Sequence, residues 1–422
     1  MAQLSDDCFA HGGKLMTVEA ALALIAERTE RVTGEETAAL DAALGRVLAE
    51  DLVAGFAVPA HDNSAVDGYA VYFDDLAPEA ETRLPVMGRA TAGHPLERPQ
   101  PRGTAVRIFT GAAMPAGPEG SAPDTVMMQE DCREEDDKVV IAPGIRRGAN
   151  RRLAGEDVAA GARVLATGRR LRPQDLGQAA ALGRTSLRVA ARLRVGLFST
   201  GDELREPGRP LPAGCLYDSN RHTLGGLLRA LGCAVTDLGI LPDREPVVRA
   251  ALAEAAGGHD LLITSGGVSV GEEDHVKAAV EALGRLHAWR LAIKPGRPIA
   301  LGQVGRVPFV GLPGNPVAVV VTFVNFVRPM ILRLAGAAPE PVPGFPVTAA
   351  FSHRKKQDRR EWLRASLAEQ DGRLVAHKFE REGAGILSSV VESDGLVELP
   401  EDLTRLEPGT TVKFLPFSAL MA

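Results

Sequence analysis

Residues 261–277 read "LLITSGGVSVGEEDHVK". An apolar run opens into a small Gly/Ser-rich turn, and three acids, Glu272, Glu273 and Asp274, follow directly. Backbone N–H groups bared in such a turn form an anion cradle, so acids beside it need a reason. A magnesium ion supplies one, because it takes one or two carboxylates together with phosphate oxygens. On that logic Glu203 and Asp274 hold the metal, and residues 264–271 hold phosphate. The plainer reading is that acids open a helix, where its dipole favours them. That reading is the better one for Glu272 and Glu273; for Asp274 the two stand level.

The stretch sits in a repeating order of strand, loop and helix that starts at Leu193. "LRVGLFS" leads to a loop, "NRHTLGGLLRALG" is an amphipathic helix, "AVTDLGI" a strand, and "VPFVGLPGNP" feeds the helix "VAVVVTFVNFVRPMILRLAG". This alternation predicts a parallel sheet between helices, a doubly wound α/β domain with ligands at the C-terminal strand ends. Four loops fall at or near those ends: "FSTGDEL" (198–204), "TSGGVSVGEED" (264–274), "KPGRP" (294–298) and "GLPGNP" (311–316). They place phosphate or nucleotide contacts on Ser199, Thr200, Gly201, Ser265, Gly266, Gly267, Ser269, Pro313, Gly314 and Asn315. None is a Walker A loop or a GxGxxG fingerprint. The helix after Pro316 has a membrane-like texture, but Asn325 and Arg328 interrupt it, which predicts a buried core helix.

Outside this domain the pattern changes. From Thr17 to about Ala49 the apolar spacing predicts helix, with Thr17 as its N-cap. After Ala54, short apolar runs broken by Pro and Gly read as β-rich: "YAVYF", "TAVRIF", "TVMMQE" and "KVVIAPG". A helical piece follows at "RPQDLGQAAALG". "AGAAPEPVPGFP" (335–346) is a linker, and beyond it "PVTAAF", "WLRASL", "RLVAHKF" and "TVKFLPF" predict a small separate β-domain. The expected division is an N-terminal helical segment, 1–53, joined by 150–190 into one discontinuous domain; an inserted β-rich domain, 54–149; the α/β domain, 191–336; and a C-terminal β-domain, 337–422.

A chain of 422 residues is too long for one core, and its 45% hydrophobic and 24% charged content is ordinary for a globular protein. A net charge of −6 with few aromatics argues against a nucleic-acid or membrane-surface binder. Cys8, Cys132, Cys215 and Cys233 are scattered without ligand spacing, which fits reduced thiols in a cytoplasm. Asp6 and Asp7 stand where a signal peptide needs basic charge. His61, His222, His259 and His275 read as packing or surface residues.

Four further stretches combine charge with turn chemistry. "HDNSAVDGYAV" (61–71) and "RIFTGAAMPAG" (107–117) are compact turns; "NRRLAGEDV" (150–158) has the mixed charge of a solvated face. "RKKQDRREWLR" (354–364) is a basic cluster that suits either exposure or an oxyanion pocket with Lys294 and Arg297. Lys294 itself follows a strand of the same α/β domain as the Gly/Ser cradle, so it reaches either the oxyanion or the phosphate.

Taken in order, "DNSAVDGYA", "TGAAMP…VMMQE", "AGEDV", "FSTGDEL", "YDSNR", "TSGGVSVGEED", "KPGRP" and "GLPGNPV" resemble the molybdopterin molybdenumtransferase family, which includes the gephyrin E domain. The resemblance runs from about Leu15 to the C-terminus. It implies a four-domain, elongated homodimer with sites between subunits, inserting molybdate into adenylylated molybdopterin with Mg²⁺-dependent loss of AMP. It places the family's acidic positions on Asp67, Asp157, Glu203, Asp243 and Asp274, with Thr110 beside them. Glu203, Asp243 and Asp274 are then the Mg²⁺ ligands. The cationic positions fall on Arg290, Lys294 and Arg359, with Ser389 in the last domain. This chain departs from the pattern at three places: Arg290 and Arg297 stand where relatives often carry Lys, and Asp358 replaces the usual Gly before Arg359. Partners implied are the pterin-adenylylating enzyme and recipient molybdoenzymes. Two other readings remain beside it: a non-catalytic dimeric scaffold that clamps peptides, and a Mg²⁺-dependent nucleotide pyrophosphatase.

Overall fold

The computed structural model describes residues 15–267, 275–340 and 342–421. The chain divides into two compact units, Met1–Glu50 with Thr167–Arg172 and Ser186–Ala422, and Asp51–Ala166 with Pro173–Thr185. The expected return segment 150–190 is therefore shared between them.

The larger unit is built on a seven-stranded sheet. Its order is Leu15–Met16, Gly284–Leu291, Pro298–Val304, Val307–Leu312, Leu261–Ser265, Arg194–Thr200 and Ala234–Leu241. Val195, Leu197, Leu261 and Ile263 pack into one apolar cluster with Leu224, Leu228 and Val320, and Phe198 and Leu262 into another with Val248, Leu252 and Val280. Successive side chains thus feed opposite faces, each covered by helices, as expected where a sheet is buried on both sides. The sheet is mixed, which corrects the expectation of a parallel one. Pro298–Val304 runs antiparallel to both neighbours. The reason is local: "KPGRP" and the Gly305–Arg306 turn are too short for a crossover, so each returns the chain antiparallel beside itself.

The helix from Pro316 to Leu334 carries a 19-residue apolar stretch whose most hydropathic window is 83% buried. It is the core helix the sequence predicts. Its middle, Phe323–Val327, is a π-turn between the α-segments Pro316–Thr322 and Arg328–Leu334. Pro329 explains this, since it has no N–H and would crowd the carbonyl four residues earlier. The Arg328 N–H bonds the Phe323 carbonyl instead.

Thr17 caps the helix Val18–Arg28, its hydroxyl accepting from the Ala20 N–H at 3.1 Å. The helix ends there, which corrects the expectation of helix to Ala49. Glu35–Ala39 is a strand paired antiparallel with Ser186–Ala190, and Leu40–Ala42 is a single turn. Thr29, Thr33 and Gly34 interrupt the helical run, and long-range pairing overrides the residual spacing of Leu40, Leu44 and Val47.

After the linker, Phe345–Ala349, Arg360–Gln370, Arg373–Lys378, Gly395–Leu399 and Thr411–Pro416 form a small sheet that closes on itself by pairing Arg360–Gln370 with Gly395–Leu399. Ile293–Lys294 adds to its edge, running parallel to Arg360 and Glu361.

The second unit holds a six-stranded sheet in the order Thr125–Met128, Gly68–Val71, Ala105–Ile108, Thr82–Ala90, Lys138–Ile141 and Cys132–Glu135. These are the short apolar runs of the sequence. Helix Pro173–Ala181 belongs to the same unit.

Candidate functional site

In the larger unit, Arg194–Thr200, Leu261–Ser265 and Val307–Leu312 run parallel in register, so Ser199 lies beside Ser265 and Ser265 beside Leu312. Their C-terminal ends form one edge. Asn220, the first residue of helix Asn220–Ala230, ties that edge together. Its side-chain amide donates to Ser265 Oγ at 2.8 Å and to the Gly314 carbonyl at 2.7 Å. The "YDSNR" run explains its placement. Asp218 accepts from the Arg221 N–H at 3.1 Å and from Arg221 Nε at 3.0 Å, and Arg221 reaches Asp237 at 2.5 Å and Glu206 at 2.6 Å. Ser199 Oγ, Thr264 Oγ1 and Asn220 Oδ1 are buried at this edge without a hydrogen-bond partner. Orphaned buried polar atoms call for a partner; Ser199 shares a face with Ser265, which Asn220 bonds, while Thr264, paired with Phe198, belongs to the other face.

Beside them, Gly266 and Gly267 turn the chain at φ +85° and +63°. Ser269 and Asp274 lie outside the described residues. Gly201 has φ +146°, and a Cβ there would fall 2.5 Å from Glu203 Oε2, so the Glu203 carboxylate sits directly over the Gly201 backbone. Thr200 Oγ1 donates to Asp243 Oδ1 at 3.4 Å. Glu203 and Asp243 thus flank one turn. Among the described residues no three His, Cys, Asp or Glu groups converge. Two carboxylates beside an anion cradle still match magnesium, whose remaining ligands are phosphate oxygens and water.

The "KPGRP" loop is a hairpin closed by the Leu291 N–H donating to the Arg297 carbonyl at 2.8 Å. Gly296, at φ +90°, lets this hairpin approach the Pro316 helix; a Cβ there would meet Thr322 Cγ2 at 2.6 Å and the Ala318 carbonyl at 3.3 Å. Lys294 lines a pocket of about 230 Å³ with His353, Arg364, Lys378, Arg381 and Glu382. Its Nζ stands 3.6 Å from Glu361 Oε2. Glu361 is fully buried and also takes bonds from His353 Nε2 at 3.1 Å and Arg359 Nη2 at 2.5 Å. Burial pushes the Glu361 carboxyl up, but the His353 and Arg359 bonds and the Lys294 charge outweigh it and bring the group to about 2. Arg359 is therefore occupied by Glu361.

Ser389 is buried and its hydroxyl accepts from Arg364 Nε at 3.0 Å, so it positions the Arg364 guanidinium. Asp358 adopts φ +59°, the left-handed conformation that suits the family's Gly and that Asp tolerates better than most residues. Arg290 and Arg297 are exposed, on the strand before the hairpin and at its far end. The cradle and the basic pocket adjoin. The Val317 N–H donates to the Ala384 carbonyl at 2.9 Å, while Gly383 and Ala384 line the pocket.

In the second unit, Asp67 and Thr110 meet. Asp67 Oδ1 accepts from the Thr110 N–H and from Thr110 Oγ1, both at 2.8 Å. These bonds, the backbone one first, hold the Asp67 carboxyl below the usual carboxylate range. Asp157 borders a separate open groove with Arg163, Gln174 and Asp175.

The residues that sequence reasoning passed over are Asn220, Glu361, Arg364, Lys378 and Arg381. Asn220 and Arg364 lay inside quoted motifs, "YDSNR" and "RKKQDRREWLR", and carried a signal. Lys378 ends a strand far along the chain, Arg381 lies in the loop after it, and neither carried one.

Three family models match the sequence: the MoeA N-terminal region (domain I and II) over residues 16–183, a probable molybdopterin binding domain over 196–333, and the MoeA C-terminal region (domain IV) over 346–417. A molybdopterin molybdenumtransferase of Haemophilus influenzae is 38% identical over 410 residues, 96% of this chain and 100% of that one. Molybdopterin molybdenumtransferase 2 of Mycobacterium tuberculosis is 37% identical over 387 residues, 89% of this chain and 94% of that one. The crystal structure of a molybdopterin biosynthesis moeA protein from Pyrococcus horikoshii OT3 superposes with a TM-score of 0.81 at 29% identity, covering 95% of this chain and 99% of that one. The chain belongs to the molybdopterin molybdenumtransferase family, enzymes of molybdenum cofactor biosynthesis.

Proposed function

We propose that the protein inserts molybdenum from molybdate into adenylylated molybdopterin and releases AMP in a Mg²⁺-dependent step. The observation that carries this reading is the adjacency of two anion sites. The strand-end cradle and the pocket of Lys294, Arg364, Lys378 and Arg381 meet at the start of the Pro316 helix. A pterin nucleotide and an oxyanion need two such sites side by side.

The cradle at Ser199–Gly201, Ser265–Gly267 and Pro313–Asn315 binds the pyrophosphate through backbone N–H groups, with Asn220 tying the second of these loops to the third. Glu203 and Asp243, with Asp274, hold Mg²⁺, which when bound draws charge from the pyrophosphate as the nucleotide leaves. Molybdate, a tetrahedral dianion, is the second substrate, and the four cations of the basic pocket bind it as they would sulfate. Glu361 holds Lys294 and Arg359 in place, and Ser389 fixes Arg364. Arg290 and Arg297 add positive field at the hairpin, and Asp67 and Asp157, with Thr110 beside Asp67, keep the roles that the family pattern implies. The four-part domain division, a homodimeric state and a cytoplasmic setting belong to the same proposal, as do an adenylylating donor and molybdoenzyme recipients.

The test supplies adenylylated molybdopterin, Mg²⁺ and molybdate, and follows AMP release and protein-bound molybdenum together. Coupled appearance of both is expected; AMP release with no molybdenum retained would instead favour a plain pyrophosphatase.

A further inference from the structure

A second cleft in the larger unit shares no residue with the site above. It has room of about 150 Å³ and is walled by Leu22, Ile25, Leu332 and Val342, with Arg328 and Arg333 at its polar end. Arg328 is only 6% exposed. Its Nε is fully buried without a hydrogen-bond partner, and so is that of Arg333, whose Nη2 donates to the Ala26 carbonyl. Burial is the largest influence weakening the charged form of Arg328; the like charge of Arg170 adds to it and the opposite charge of Glu340 opposes it.

The other buried arginines of the described chain are provided for. Arg46 bonds Glu36 and the Ala190 carbonyl, Arg221 has three carboxylates, and Arg364 has Ser389 and two carbonyls. Arg328 stands apart, with no hydrogen bond or ion pair from its side chain among the described residues. A buried guanidinium left so is costly, because the exposed Glu340 carboxylate, which also borders the cleft, acts on it only through charge and makes no ion pair with it. The π-turn before Pro329 brings its backbone to this point, and π-turns recur at functional positions.

We propose that this cleft is a binding site for a small organic carboxylate with an apolar body. The carboxylate accepts from the Arg328 guanidinium and from Arg333 Nε, and the body packs on Leu22, Ile25, Leu332 and Val342. The apolar walls select against inorganic dianions, which would give up more hydration and gain no packing.

The test is calorimetric titration of the full chain with hexanoate, hexanamide and sulfate. Hexanoate is expected to bind saturably, with hexanamide about tenfold weaker or more, since a charge-assisted hydrogen bond is lost. Arg328→Met should abolish the preference for acid over amide and raise the melting temperature of the free protein, because an unpaired buried charge is replaced by a similar apolar volume. If that variant does not fold, Arg328→Gln should fold and bind acid and amide alike. Equal binding of hexanoate and hexanamide to the wild type, or sulfate binding as tightly as hexanoate, would overturn the proposal. So would no saturable hexanoate binding, or a variant that alters self-association while hexanoate binding stays unchanged, which would put a second copy of the chain on this face.

Discussion

The side-chain amide of Asn220 donates to Ser265 Oγ at 2.8 Å, and that bond ties a helix start to a strand end. With its second bond, to Gly314, it spans two of the three loops of the cradle. Asn220→Ala removes both, and two hydrogen bonds are together worth about 1–3 kcal/mol. The expected result is a roughly five- to hundredfold loss in kcat/KM for AMP release, with near-normal molybdate dependence. Unchanged kinetics would mean that the loops hold their register without it.

Lys294 and Arg364 face the same pocket, so each should govern the molybdate requirement. Lys294→Ala should raise the molybdate concentration for half-saturation about ten- to hundredfold, and leave nucleotide affinity largely intact. Sulfate and tungstate should compete less well in the variant. Normal molybdate dependence with lost nucleotide binding would assign Lys294 to the phosphates.

Glu361 gives a pH prediction. Its folded-state carboxyl lies at about 2, against roughly 4.3 for an ordinary glutamate. A depressed folded value means stability present above the ordinary value and lost as pH falls towards the folded one. Wild type should therefore lose stability between those limits. Glu361→Gln should be destabilised at neutral pH, where it strands cations, and its deficit in melting temperature should shrink towards pH 2. A deficit constant with pH would rule out the ionised pair as its source.

Asp67 is held low mainly by the Thr110 N–H and then by the Thr110 hydroxyl. Thr110→Val keeps the first bond and deletes the second. Carbon NMR titration of the Asp67 carboxylate should show a partial rise in its pKa. No movement would show that the hydroxyl bond does not act on the carboxylate in solution.

Gly201→Ala tests the turn under Glu203. The new methyl would both strain a φ of +146° and strike the carboxylate at 2.5 Å. Strain of this kind costs on the order of 1–3 kcal/mol. The variant should need more Mg²⁺ for AMP release and melt lower. A wild-type Mg²⁺ requirement would separate Glu203 from the metal.

The alternation of strand and helix after Leu193 was legible because buried strands and amphipathic helices differ in period and length. The hairpins at "KPGRP" and Gly305–Arg306 were visible as turns, yet their effect on strand direction was not, since direction depends on what the returning strand pairs with. The stretch 29–49 misled because Leu40, Leu44, Val47 and Leu48 keep helical spacing while the partners of Val47 and Leu48, Arg170 and Val189, lie far along the chain. The cradle loops announced themselves by composition. Glu361 did not: amid the basic run 354–364 it looked like one more surface charge, and only its full burial between His353, Arg359 and Lys294 gives it a role.

Ile293 and Lys294 run as a short strand along the edge of the C-terminal sheet, opposite Arg360 and Glu361. That seam makes the last stretch of the chain something other than a detachable module. A protein trimmed at the linker would lose Glu361, Arg364, Lys378 and Arg381 in one cut and leave the Lys294 hairpin with an unmatched backbone edge. Boundaries drawn by sequence families at residue 346 therefore run through a pocket that needs both sides, and inheritance of that pocket requires the two segments to travel together.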